Sequence, residues 1–223
     1  MKFALMIAAA LATASAWANE PQAAPALKGD PKQAQATVTQ VCAACHAVDG
    51  NSVAPANPRL AGLNYEYINK QLQNFKSGER KSAIMSGMVA NLTPQDMQNL
   101  AAYYSAQQPK DAKAKDQALA LLGQKVYRGG VQGSGVPACA SCHGDSFSKP
   151  IDPSYPKIAG QHSDYLYVAL KSYKIENNPQ VGRGNAIMGG VAKQFSNAEL
   201  KELANYVGGL PGELKTVPQN RFK

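Results

Sequence analysis

Apolar residues recur at helical spacing through much of this chain. In residues 64–76, Ile68, Leu72 and Phe75 fall on one face of a helix. No pair of segments combines the alternation of strands with the turn chemistry of a hairpin, so we predict an all-α fold. Two later segments carry apolar residues at positions i, i+3, i+4 and i+7: Met97, Leu100, Ala101 and Tyr104, then Leu200, Leu203, Ala204 and Val207.

Capping signals mark where three of these helices begin. Asp30 is a helix cap followed by a proline, which is favoured at the first helical position. Ser196 and Glu199 have the spacing of a capping box. Thr93 and Asp96 form a near-equivalent, with aspartate in place of glutamate. These signals predict helices that start just after residues 30, 93 and 196.

The second half of the chain repeats the first. A shift of 97 residues superposes two Cys-x-x-Cys-His motifs, and a shift of 98 superposes residues 58–62 on residues 156–160. A shift of 103 then superposes residues 83–85 on residues 186–188. Loops absorb the small changes of offset, so we interpret the chain as two copies of one module.

The repeat divides the chain into two tandem domains related by internal duplication. We predict an N-terminal domain over residues 19–108 and a C-terminal domain over residues 117–223. Residues 109–116 are polar and charged without an apolar face, as in a solvated linker. Each copy of the repeated module has about 90 residues, which is small for a robust hydrophobic core, so a buried cofactor would supply apolar mass.

The first 18 residues have the organisation of a secretory signal peptide. Lys2 supplies the positive charge, residues 3–14 are apolar, and Ala-Trp-Ala before Asn19 is a small-x-small cleavage site. The apolar run is shorter than the roughly 20 residues that span a bilayer. We predict cleavage after Ala18 and a periplasmic mature protein.

The mature chain is basic, and the excess charge is uneven. Without the leader it has 22 basic and 15 acidic residues, with a net charge of +1 in residues 19–108 and +5 in residues 117–223. A basic surface suits nucleic acid, an anionic membrane or an acidic protein. Export excludes nucleic acid as the natural partner.

The cysteines give the chemistry. Exported proteins ordinarily pair cysteines as disulfides, but here each closely spaced pair is followed at once by histidine, the signature of c-type haem attachment. Two thiols on one helical turn bond the haem vinyl groups, and the histidine becomes the proximal iron ligand. We predict two covalently bound haem c groups, attached through Cys42 and Cys45 with His46, and through Cys139 and Cys142 with His143.

Two other interpretations of the Cys-x-x-Cys spacing fit less well. A thioredoxin-like redox motif belongs to a βαβ pattern, which neither copy has. A structural zinc site draws its ligands from one small unit, whereas these pairs lie about a domain's length apart.

The sixth iron ligand can be predicted by elimination. Besides the two motif histidines only His162 remains, and its repeat equivalent is Asn64, so histidine pairs at both irons are excluded. The mature second module has a single methionine, Met188, whose repeat equivalent is Met85. We predict these two methionines as axial ligands.

Met88 and Met97 are the alternatives in the first module. They align with Val191 and Leu200, so we interpret them as core side chains. A thioether ligand raises the potential of the iron and fills the position where oxygen or peroxide would bind. The ligand set therefore predicts an electron carrier without a catalytic residue, rather than an enzyme.

The remaining candidates lie near these motifs. Pro58 and Pro156 follow the two histidines by 12 and 13 residues, and their carbonyls could orient the imidazoles or the prolines could only shape the loops. His162 is predicted to lie at the surface or beside a haem propionate. The aromatic positions predicted to belong to the core or an interface are Tyr65, Tyr67, Tyr165 and Tyr167.

Together these motifs closely resemble the cytochrome c4 family. The resemblance covers roughly residues 30–210: a Cys-x-x-Cys-His motif, Pro-x-[Leu/Ile]-Ala-Gly, a tyrosine-rich helix, and a methionine before a capped last helix, each present twice. It implies three main helices around each haem, with the first and last crossing. It also implies domains related by a pseudo-twofold axis, with haem propionates facing each other.

The resemblance also implies a role and partners. Members of the family feed terminal oxidases in the periplasm and are often associated with the membrane. We therefore expect a carrier of single electrons from a quinol-oxidising complex to a terminal oxidase. The alternative, a dihaem peroxidase or thiosulfate-oxidising enzyme, would need one iron with an open or displaceable ligand.

Overall fold

The computed structural model describes residues 29–110, 117–144, 149–175, 178 and 181–210, with side chains described from residue 123 in the second of these ranges. The predicted signal peptide and its cleavage site lie outside the described residues, as do residues 111–116 of the predicted linker.

The first module is built from helices. Helix α1 (Pro31–Thr37) passes without interruption into a π-helical turn at Val38–Cys42 and then into helix α2 (Ala43–His46), which ends at the motif histidine. The five α-helices of this module are α1 Pro31–Thr37, α2 Ala43–His46, α3 Tyr65–Ser77, α4 Ala83–Val89 and α5 Pro94–Ser105.

The second module repeats this order with a different entry to its motif. Helix α6 (Gln117–Gly129) is followed by a loop with one isolated bridge between Val131 and Val136, and this loop leads to the short helix α7 (Ala140–His143). The helices of this module are α6 Gln117–Gly129, α7 Ala140–His143, α8 Ser163–Lys174, α9 Ala186–Lys193 and α10 Asn197–Gly208.

The predicted caps are present. The Asp30 side chain accepts a hydrogen bond from the Lys32 backbone at 2.9 Å. Thr93 with Asp96, and Ser196 with Glu199, form complete capping boxes in which each side chain binds the other residue's backbone N–H. In the described residues the only β pairing consists of isolated bridges, so the all-α prediction is confirmed.

In each module the first helix packs across the last. Helix α1 lies against α5, and α6 lies against α10. Gly123 permits the second of these crossings, because a Cβ on it would lie 2.5 Å from the Tyr206 Cβ. The buried apolar residues of these contacts include Ala34, Leu100, Ala101 and Tyr104 in the first module, and Tyr127, Ala204 and Val207 in the second.

The modules meet along a pseudo-twofold interface. An isolated antiparallel bridge joins Arg80 to Arg183, which are repeat equivalents at a shift of 103. Beside it, the Lys81 N–H donates to the Gly182 carbonyl at 3.2 Å. An antiparallel pairing of a residue with its own repeat equivalent places the axis between the two arginines.

The start of the predicted linker is tied to the first module. The Lys110 N–H donates to Asn51 Oδ1 at 2.8 Å, and Lys110 Nζ lies 2.8 Å from an Asp49 carboxylate oxygen. Residues 109 and 110 are exposed, as expected for a linker, but their backbone is anchored.

Within the described residues, none of the helices combines the length and apolarity that crossing a bilayer requires.

Candidate haem sites

Each Cys-x-x-Cys-His motif is wound into one tight helical turn. The His143 N–H donates to the Cys139 carbonyl at 2.9 Å, and the Cys142 N–H donates to the same carbonyl at 3.2 Å. None of the four motif cysteines forms a disulfide. The turn brings both thiols of a pair and the following imidazole to one small region of the chain.

One thiol in each motif is made harder to ionise by burial. Burial raises the pKa of the Cys42 thiol above its ordinary value. Burial likewise raises the pKa of Cys139 to about 11. Reactive redox cysteines instead have a depressed pKa, so these values argue against a thioredoxin-like role.

Both motif histidines are oriented by a proline carbonyl. His46 Nδ1 lies 2.9 Å from the Pro58 oxygen, and His143 Nδ1 lies 3.0 Å from the Pro156 oxygen. Since a carbonyl only accepts, Nδ1 carries the proton and donates, which leaves Nε2 unprotonated and able to bind iron.

Burial favours the same protonation state. Both imidazoles are buried, and burial lowers the pKa of each below its ordinary value more than the hydrogen bond to proline raises it. A neutral imidazole is the form that binds a metal.

The candidate axial methionines occupy equivalent positions. Met85 is the third residue of α4, and its N–H donates to the side chain of the cap residue Ser82 at 3.3 Å. Met188 is the third residue of α9, and its N–H donates to the side chain of Asn185 at 2.8 Å. Sequence analysis missed both caps, although each is a polar residue three positions before a methionine.

The other two methionines of the first module differ from each other. Met97 is 2% exposed, as predicted for the core. The prediction that Met88 is a core side chain is wrong, because Met88 is 49% exposed. It lies one helical turn after Ile84, which is 71% exposed, so the two side chains share one face of α4.

The residue that follows each motif histidine has an unusual backbone conformation. Ala47 has φ 63° and ψ 159°, and its repeat equivalent Gly144 has φ 86° and ψ 150°. This region is essentially restricted to glycine, so Ala47 is strained. The only indication of this strain in the sequence is that Ala47 aligns with a glycine in the second module.

His162 lies at the boundary between the modules. Its Nε2 lies 2.7 Å from the Ser52 carbonyl of the first module, which is an inter-module contact that the sequence did not predict. Tyr67 and Tyr165 also bond across the boundary, which confirms their interface assignment, and their partners are Arg183 and Arg80. Sequence analysis missed both arginines, although the shift of 103 aligns them.

Comparison with known proteins identifies the family. The family model described as "Cytochrome c" matches residues 31–107 and 120–211. Cytochrome c4 of Stutzerimonas stutzeri is 40% identical over 191 residues, which cover 82% of this chain and 90% of that protein. The chain belongs to the cytochrome c4 family.

A solved structure of this family has the same fold. The crystal structure of reduced recombinant cytochrome c4 from Pseudomonas stutzeri matches with a TM-score of 0.75 and 40% identity, over 82% of this chain and 99% of that one. A further relative, named thiosulfate dehydrogenase electron acceptor, from Stutzerimonas stutzeri, is 33% identical over 171 residues, or 74% of this chain and 76% of that protein.

Membership of the cytochrome c4 family establishes the cofactors. The protein carries two covalently bound haem c groups, attached at Cys42 and Cys45 and at Cys139 and Cys142. The residues fit this cofactor, because each cysteine pair shares a helical turn with a buried histidine that presents Nε2. The chain is a dihaem electron-transfer protein.

Proposed function

We propose that this protein is a periplasmic shuttle that carries single electrons from a quinol-oxidising complex to a terminal oxidase. The observation that carries the proposal is the equivalence of the two sites. Each has a histidine held by a proline carbonyl and a methionine at the third position of a capped helix. Both irons then have two protein ligands, as electron carriers require.

The proposed axial ligands are His46 with Met85 and His143 with Met188. Pro58 and Pro156 act through the histidines, because an accepted Nδ1 proton fixes the ring orientation and raises its basicity. A haem with these ligands supplies a one-electron couple at raised potential. With these ligands the thioethers would leave no open position at either iron for peroxide or thiosulfate, so we propose that the protein is not an enzyme.

The proposed location rests on the sequence of the leader. Cleavage after Ala18 would release a mature protein into the periplasm. Haem c is attached in that compartment, and the proposed partners face it. The domain limits, residues 19–108 and 117–223, and peripheral contact with the membrane belong to the same proposal.

We propose that electrons leave from the second haem. Oxidation adds a positive charge, so the more basic C-terminal domain, with +5 against +1, disfavours its ferric state and raises its potential. Four charges at about 15 Å in water contribute about 1 kcal/mol, or on the order of 50 mV for a one-electron couple. Salt reduces this effect, because the Debye length is about 8 Å at physiological ionic strength.

The test uses the haem-loaded protein and its proposed partners. Reduced protein is mixed with membranes that contain a terminal oxidase, and the loss of the ferrous absorption is followed by stopped flow. We expect rapid oxidation that is abolished by an oxidase inhibitor. Oxidation no faster than in membranes without the oxidase would contradict the proposal.

A second candidate function is that of electron acceptor for a thiosulfate dehydrogenase. It is favoured by the relative that bears this name, and it requires the same two haems with a different donor. Oxidised protein mixed with thiosulfate and a thiosulfate dehydrogenase would be reduced at once, whereas quinol with a quinol-oxidising complex would reduce it slowly. The shuttle proposed above gives the reverse order.

A further inference from the structure

Two arginines from different modules share one amide oxygen at the boundary. Gln71 Oε1 accepts a hydrogen bond from Arg80 Nη1 and another from Arg183 Nη2, each at 2.8 Å. The separation of the two donor nitrogens cannot exceed the sum of these distances. The structure thus holds two guanidinium groups in close proximity.

Each of the two arginines also donates a hydrogen bond to a tyrosine of the other module. Arg80 of the first module donates to the Tyr165 hydroxyl at 2.9 Å, and Arg183 of the second donates to the Tyr67 hydroxyl at 2.9 Å. The two tyrosines are repeat equivalents. Each guanidinium also lies over an aromatic ring of its own module: Arg80 over Phe75 at 4.2 Å and Arg183 over Tyr173 at 4.6 Å.

In the part of the chain that the structure describes, the protein groups that accept hydrogen bonds from these guanidiniums are neutral oxygens, from one amide and two phenols. Arg183 is only 6% exposed. Burial raises the pKa of Tyr165, but Arg80 and Arg183 outweigh it and hold that pKa below its ordinary value. The neighbouring phenol thus responds to a local positive potential.

Such an arrangement opposes stability by itself. Like charges repel strongly at short range in a medium of low dielectric, and a buried cation loses its hydration. Hydrogen bonds to neutral oxygens and contacts with aromatic faces offset part of this cost. The pair therefore concentrates positive charge at the pseudo-twofold axis between the modules.

We propose that Gln71 is a positioning residue that holds Arg80 and Arg183 as a shared positive centre, and that this centre raises the reduction potentials of both haems. Oxidation of either iron adds a positive charge, which a nearby positive centre opposes. The two arginines precede the candidate ligands Met85 and Met188 by five residues each. A buried charge is screened by salt far less than a surface charge.

The residue that bridges the two arginines, Gln71, comes from only one of the two modules. Its repeat equivalent on α8 is Ala169, so only helix α3 provides the bridging oxygen. One amide thereby contacts an arginine of each module. A change at this one residue should therefore alter the reduction potentials of both haems.

The decisive experiment compares two isosteric changes on the same helix in the haem-loaded protein. Gln71→Glu places a carboxylate between the guanidiniums while it keeps both acceptor sites. Gln73→Glu adds the same charge at an exposed position two residues away. Midpoint potentials of both haems are measured by spectroelectrochemistry at low and at high salt.

We expect Gln71→Glu to lower both potentials by about 59 mV, a tenfold change in the ferrous-to-ferric ratio at a fixed potential, and to do so at both salt concentrations. Gln73→Glu should change the ratio less than threefold and lose its effect in high salt. The proposal is overturned if only one couple moves, or if the two variants behave alike.

A second pair of variants separates charge from shape. Arg183→Lys keeps the charge but loses the forked geometry, whereas Arg183→Gln keeps hydrogen-bonding groups but loses the charge. We expect both potentials to fall in Arg183→Gln and to stay near the wild-type values in Arg183→Lys. Equal shifts in the two variants would show a structural effect alone and would refute the proposal.

Discussion

The two modules put different residues into the same strained turn after the haem-binding histidine. In the first module the residue is Ala47 and in the second it is Gly144, yet their backbone angles are alike. The conformation therefore follows from the geometry of the motif and the loop after it. The comparison teaches that the path of the chain out of the haem-binding turn decides the backbone angles at this position. It does so even where the residue, alanine, disfavours those angles.

The modules differ most in how the chain enters the motif. A π-helical turn at Val38–Cys42 joins α1 to α2, whereas a loop containing Gly130, Gly133 and Gly135 separates α6 from α7. π-helical turns often occur at functional sites. The elements after the motif, from the proline carbonyl to the capped last helix, agree closely between the modules.

The largest expected effect tests whether the candidate axial ligands are equivalent. Met85→Ala and Met188→Ala should each remove one contribution to the thioether-to-iron charge-transfer band at the red end of the spectrum. Each should also lower one potential by on the order of hundreds of mV, because axial ligands set haem potentials over about 0.8 V. The exposed Met88 provides the control. Loss of the band in Met88→Ala, with Met85→Ala unchanged, would refute the assignment in the first module.

The next effect exchanges the residues of the strained turn. Ala47→Gly should stabilise the protein by about 1–3 kcal/mol, since an alanine leaves a region suited to glycine. Gly144→Ala should destabilise it by at least that amount, because a Cβ there would lie 2.1 Å from the Lys149 carbonyl oxygen. Guanidinium unfolding of the haem-loaded variants measures both changes. If Ala47→Gly brought no gain in the free energy of unfolding, the strain argument would fail.

A smaller effect compares the two capping boxes. Thr93→Ala and Ser196→Ala each remove the side chain that binds the N–H of the third helical residue, at 3.1 Å and 3.2 Å respectively. Each change should cost about 1 kcal/mol of stability. Thr93→Ser is the matched control and should cost little. Unfolding curves that do not shift in either alanine variant would show that tertiary packing alone fixes these helix ends.

The smallest effect is the pH dependence of the same boxes. Hydrogen bonds from the Thr93 side chain and backbone lower the pKa of Asp96, and hydrogen bonds from the Ser196 backbone and side chain lower that of Glu199. A depressed carboxyl pKa adds stability that is present above the unfolded-state pKa and is lost as the pH falls through the folded-state value. Both groups are near the surface, so the loss should be a few tenths of a kcal/mol.

The measurement for this last prediction is stability between pH 7 and pH 3 in wild type, Asp96→Asn and Glu199→Gln. The variants should lose part of the acid dependence of the wild type. Curves parallel to that of the wild type would mean that neither carboxylate contributes.

The sequence by itself determined what depends on short spacings along the chain. Cysteine pairs followed by histidine, and cap residues three positions from their partners, act within one or two helical turns, and the two-copy pattern is the recurrence of these short motifs along the chain. The fold class and both capping boxes could therefore be predicted. His46 and Pro58 lie only 12 residues apart, so even their contact was a candidate, although the sequence left open whether proline bound the imidazole or only shaped the loop.

Only the tertiary structure decided what depends on residues far apart in the chain. Gln71 and Arg183 are 112 residues apart, and His162 and Ser52 are 110 apart, so no local pattern could join them. The exposure of Met88 likewise depended on how α4 packs against the rest of the first module. Caps and helical turns depend on residues that are close together in the chain. The packing of one module against the other brings charges together that are far apart in the sequence. This packing places two arginines on one amide oxygen.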